Sequence, residues 1–128
     1  MIKDYKPEHL EFIHKWAEHY KFPKLTDEML PDGWVVYAGD KPVVCGWMYV
    51  GDKPKISWLA WIVMNPDSDN RERNAAFEEL NAKVDEEAKR LGVKMMVTPT
   101  NNGSLIKRFN DNGWTTYDID VCHLMKIY

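Results

Sequence analysis

The residues best placed for chemistry sit where an apolar run meets a helix. Residues 56–64 read ISWLAWIVM, with almost nothing suited to water, and NPDSDN then leads into RERNAA. Ser68 and Asp69 are good helix N-cap residues, and Glu72 follows Asp69 at capping-box distance. A helix starting there presents unpaired backbone N–H groups and the positive end of its dipole, which together attract anions, phosphates above all. Arg71 and Arg73 add positive charge at the same end.

Other candidate groups have plainer explanations beside them. His123 lies in a strand-like stretch and could act as a general base; a partly buried strand histidine explains it as well. His9, His14 and His19 recur at every fifth residue. Five residues advance about 500° around a helix, so successive rings point about 140° apart and cannot share one metal ion. They read as surface histidines, and the absence of CxxC and HExxH patterns gives no zinc site. Asp118 and Asp120 share a face if the chain is extended there, and could hold a cationic amine or simply form a solvated edge. Ser57 and Ser104 have no histidine–acid context, so a serine nucleophile is a poor reading.

The composition narrows the function classes. The chain has 128 residues, enough for one domain over 1–128 with a real core. It carries 17 basic and 20 acidic residues, a net charge of -3, with no basic block, which argues against bulk nucleic-acid binding. MIKDYKPEH lacks the apolar core of a secretory signal and no apolar run reaches transmembrane length, so the expected location is cytoplasmic, with no membrane contact. Cys45 and Cys122 both fall in strand-like stretches and read as buried thiols in a reducing compartment. Six tryptophans are many for this size and are expected mostly in the core or in pocket walls.

These groups must be positioned by regular elements. Ile2 and Tyr5 suggest a short edge strand. Pro7 suits a helix's first turn, and Leu10, Ile13, Ala17 and Tyr20 recur at helical spacing, giving a helix over 7–20. Phe22-Pro23 breaks it, and 26–30 forms one short helical turn. Strands follow over 34–38 and 43–50, joined by a Gly39-Asp40 hairpin turn. A further turn at Gly51-Asp52-Lys53-Pro54 leads to the central strand, expected to be buried on both faces because it is apolar throughout. Phe77, Leu80, Val84, Ala88 and Leu91 then mark a helix over 68–91, with Gly92 at its C-terminal stop. Residues 93–98 form a short strand. Asn101 or Asn102 caps a short helix facing inward through Leu105, Ile106 and Phe109, which Asn112-Gly113 ends. Residues 114–118 and 120–128 read as two final strands. The strand–helix–strand unit over 55–98 should be a parallel crossover.

This order resembles the GNAT N-acetyltransferase superfamily, and two stretches carry the resemblance. The family's R/Q-x-x-G-x-G/A pyrophosphate motif aligns with Arg71-Glu72-Arg73-Asn74-Ala75-Ala76, matching at Arg71 and Ala76, with Asn74 in the glycine slot. Its N-x-x-A-x-x-L-Y-x-x-x-G-F stretch aligns with residues 102–114, matching at Asn102, Gly113 and the aromatic Trp114, with Phe109 in the tyrosine slot. The resemblance implies an α/β (α+β) fold: a mixed, mostly antiparallel sheet of six to seven strands, with helices on both faces and one parallel β-α-β crossover.

It also implies an acyl-CoA-dependent N-acyltransferase, moving acetyl from acetyl-CoA to a primary amine of a small molecule or protein. Arg71, Glu72, Arg73, Asn74, Ala75 and Ala76 would cradle the diphosphate. Family members splay the central strand from its parallel neighbour, so the pantetheine would pair with backbone near Ile62 and Met64, and such an N–H would hold the thioester oxygen. Asn102 and Phe109 would line the pantetheine end. Relatives keep their acceptor wall near the end of the first helix, where Trp16, Tyr20 and Phe22 lie, although core packing explains Trp16 better and leaves Tyr20 and Phe22 open to that role; relatives also often pair as dimers. The tyrosine that often protonates the leaving thiolate is replaced by Phe109, and the central strand offers Ser57 where relatives often place a glutamate. The alternative is therefore a catalytically degenerate protein of the same fold, acting as a binding or interaction module.

Overall fold

Five strands form one sheet in the computed structural model, in the spatial order of the sequence: β1 (Ile2–Asp4), β2 (Gly33–Ala38), β3 (Lys41–Tyr49), β4 (Ile56–Met64) and β5 (Met95–Val97). The structure describes residues 1–53, 55–122 and 124–128; the turn residue Pro54 and the candidate base His123 lie outside them. By its contacts the chain divides into two compact units, Met1–Thr98 and Pro99–Tyr128. The first contains the whole sheet.

Neighbouring strands are antiparallel from β1 to β4, and β4 pairs parallel with β5. The β2–β3 hairpin turns on Gly39, whose φ of 61° suits a residue without a β-carbon. A crossover helix, α2 (Asn70–Leu91), joins β4 to β5, as a parallel pair requires. α2 stops at Gly92, which adopts the left-handed conformation and donates its N–H to Ala88 and Lys89 carbonyls.

Period-two alternation divides the sheet residues into two sets. Val35, Cys45, Trp47 and Val63 pack with Ile13 and Trp16 of the first helix, α1 (Leu10–His19), which follows a single 3-10 turn at Pro7–His9. Gly46 belongs to the other set: a β-carbon there would lie 2.4 Å from Ile62 Cδ1 and 3.5 Å from Leu80 Cδ2 of α2. Trp47, Phe77, Leu59 and Leu80 are fully buried, each burial contributing about 1.5–3 kcal/mol against the chain entropy lost on folding. His14 Nε2 lies 2.6 Å from the Leu25 carbonyl, tying α1 to the segment that follows it.

Several expectations change. The two strands expected over 114–118 and 120–128 do not form, so the sheet has five strands among the described residues, not six or seven. The apolar side chains there, Tyr117, Ile119, Val121 and Ile127, alternate as in a strand but are 70–93% exposed, and alternation yields a strand only where a partner supplies hydrogen bonds and a surface to cover. β4 is buried on both faces only from Ile62 to Met64; Ile56 and Trp58 are exposed. Cys45 is buried, and burial pushes its thiol well up from its ordinary pKa, whereas Cys122 is exposed. The second unit holds a short helix, α3 (Gly103–Asp111), with Phe109 buried. Among the described residues no helix is long and apolar enough to cross a membrane.

Candidate active site

The turn between β4 and α2 is held by its own polar groups. Asn65 leaves β4 with its side-chain amide donating to the Pro42 carbonyl at 2.9 Å, and its Oδ1 accepts the Asp67 N–H at 2.9 Å. The Asn65 carbonyl accepts the Ser68 N–H at 3.1 Å, the Ser68 hydroxyl, and Arg73 Nη2 at 3.1 Å. Arg73 also donates to the Pro66 carbonyl and to Ser68 Oγ. Its guanidinium is therefore folded into the turn.

The helix start is equally engaged. Asp69 caps α2 by accepting the Glu72 N–H at 2.8 Å, and Glu72 Oε1 accepts the Asp69 N–H at 3.1 Å, the reciprocal pair foreseen in the sequence. Lys41 Nζ sits 3.0 Å from the same Glu72 oxygen and donates to the Asp67 carbonyl. The Asp69 amide, and after it Lys41, hold the Glu72 carboxyl below its ordinary pKa. Arg73 N–H already bonds to the Asp69 carbonyl as the first rung of the helix. Asn74, Ala75 and Ala76 follow within α2, where backbone amides serve the carbonyls four residues back. Asn74 is helical and needs no left-handed geometry, and Ala76 packs inward. A diphosphate at this end meets the Asp69 carboxylate where the Glu72 amide would otherwise be offered.

β4 supplies the second part. Its parallel ladder with β5 covers only Ile56, Ser57 and Trp58, opposite Met95, Met96 and Val97. β4 runs on through residues 59–64 while β5 ends, so the two strands part at the carboxyl end of the parallel pair, the usual ligand location in sheets with parallel strands. On its other side β4 bulges against β3: Trp61 and Ile62 together stand opposite Gly46, between the Trp47–Ala60 and Cys45–Val63 pairs. Trp61 takes φ of 57°, costly for a bulky residue and kept only where packing fixes it. Its indole N–H donates to Tyr49 Oη at 3.0 Å, Tyr49 donates to the Met29 carbonyl at 3.1 Å, and Phe22 meets the indole edge-on at 6.2 Å. Burial raises the Tyr49 pKa, and with both roles of its hydroxyl in use it is a poor proton donor to a ligand. Ser57 is fully buried with its hydroxyl unpartnered.

In the second unit Asn102 caps α3, its Oδ1 accepting the Leu105 N–H at 2.9 Å. The buried Phe109 ring stands edge-on to Trp114 at 4.8 Å. Asp120 has φ of 60° at a bend beside Ile119, so Asp118 and Asp120 do not lie on one extended edge.

No family model and no curated protein matches the sequence. Solved structures do. An aminoglycoside N-acetyltransferase, AAC(6')-Iy in complex with CoA, superposes with a TM-score of 0.70 at 15% identity over 99% of this chain and 100% of its own. A ribosomal-protein-alanine N-acetyltransferase from Brucella melitensis biovar Abortus 2308 gives a TM-score of 0.70 at 11% identity over 99% of this chain and 98% of its own. An aminoglycoside acetyltransferase from an uncultured soil metagenomic sample, in complex with sisomicin, gives 0.69 at 9% identity over 100% and 96%. The chain has the GNAT acetyltransferase fold.

Within that fold, Ile62 and Met64 lie on the part of β4 past the β5 ladder, with their side chains buried. Arg71, Glu72, Arg73, Asn74, Ala75 and Ala76 lie together in the first two turns of α2. Sequence reasoning missed Lys41, which reaches the cap from a neighbouring strand, and the Trp61 bulge. Gly46, whose missing side chain Ile62 fills, was the one local sign of it.

Proposed function

We propose that this chain is an acyl-CoA-dependent N-acyltransferase that passes an acetyl group from acetyl-CoA to a primary amine of a small molecule or protein. The single domain of this reading spans 1–128, with helices on both faces of its sheet, works in the cytoplasm and can pair as a homodimer. The observation that carries the reading is the parting of β4 from β5 after Trp58, within a GNAT fold. The pantetheine would lie along the β4 backbone near Ile62 and Met64. A backbone N–H there would stabilise the negative charge that gathers on the thioester oxygen. The amine attacks the carbonyl carbon, the C–N bond forms, the C–S bond breaks, and the proton shed by the amine nitrogen ends on the departing thiolate, so the products are the amide and the CoA thiol. Orientation of the two reactants supplies the main acceleration, because an amine that is already neutral needs little help from a base. Arg71, Glu72, Arg73, Asn74, Ala75 and Ala76 would meet the diphosphate, and Asn102 and Phe109 the pantetheine end. His123 is the remaining candidate for a base.

The second reading, a GNAT fold that binds without catalysis, is supported by the closed capping box of Asp69 and Glu72 and by Arg73 turned into the loop. Two measurements separate the readings. Acetyl-CoA at sub-millimolar concentration raises the melting temperature if it binds the folded state. Release of free thiol from acetyl-CoA with an amine panel then marks the catalyst; a melting shift with no thiol release marks a CoA binder, and the absence of both removes the transferase and favours the interaction module.

A further inference from the structure

No further inference is drawn: the strongest candidate, the open acidic cavity that Asp4 at the end of β1, Asp27 and Asp32 ahead of β2, and Glu87 of α2 form around Tyr5 and Trp34, is a cluster of carboxylates with no second observation that points to a ligand.

Discussion

Asp69 decides whether the start of α2 can receive a diphosphate. Its carboxylate accepts the Glu72 amide at 2.8 Å and places a negative charge where the ligand would put its own. Asp69→Ala removes the cap, at a cost of about 1 kcal/mol, or roughly 3–6 °C of melting temperature for a chain of this size. It also frees the Glu72 amide for a charged acceptor, worth about 1.5–3 kcal/mol before the loop reorganises, and relieves a charge repulsion of about 0.3–1 kcal/mol. Allowing for reorganisation, a net gain of about 1.4 kcal/mol is a tenfold gain in affinity for CoA. Asp69→Asn keeps an oxygen acceptor and drops only the charge, so it should gain about two- to fivefold with a smaller loss of stability. Calorimetric titration of CoA into the wild type and both variants, with melting curves for each, reads both effects. If Asp69→Ala melts lower as expected yet binds CoA no more tightly, the diphosphate does not use this helix end, and the cradle assignment of residues 71–76 fails.

Other perturbations test the supporting structure. Burial lowers the His9 pKa, and its Nδ1 accepts the Lys6 N–H at 3.0 Å. The unfolded chain therefore takes up this proton first as pH falls through about 6.5, so stability should decline from there down to the folded pKa and be flat above it. Melting curves should show a shallower decline for His9→Gln, and equal slopes refute the assignment. Tyr49→Phe removes the oxygen that accepts the Trp61 indole N–H, which should cost about 1–3 kcal/mol in urea unfolding; a cost below about 0.5 kcal/mol would mean that the bulge does not depend on this bond. Leu80→Ala, at a fully buried position near Gly46, should cost about 2–5 kcal/mol by the same measurement, and a small loss would place α2 off the sheet.

What could be read from the sequence was whatever local chemistry determines. Asp69 and Glu72 are three residues apart and find each other on any helix that starts there; Gly92 takes the left-handed conformation that the helix end requires. Asn102 caps α3 for the same reason. β4 also ran over 56–64 as its apolar run implied, because that run ends at Pro66. The failures arose where distant residues decide. An apolar run does not tell which of its residues are covered, and α1 covers only part of this one, which leaves Ile56 and Trp58 exposed. The described residues of 114–128 have the alternation of strands without strand partners.

At the site, the sequence named the right helix end but not its occupancy. The motif alignment took residues 71–76, at the start of the long helix, to offer their backbone amides to a diphosphate. With Asn74, Ala75 and Ala76 in place of glycines, and a capping box just ahead of them, helix formation is the more favourable use of those amides, since alanine is the best helix former and a capped end offsets part of the nucleation cost. The helix ladder thus takes the amides of Arg73 to Ala76 and the cap takes that of Glu72, which leaves a diphosphate fewer backbone donors here than a glycine-rich turn would offer. A ligand that binds here must therefore bring enough charge to displace Asp69, or take its hold mainly along β4, where the parting from β5 leaves the strand's far side for it.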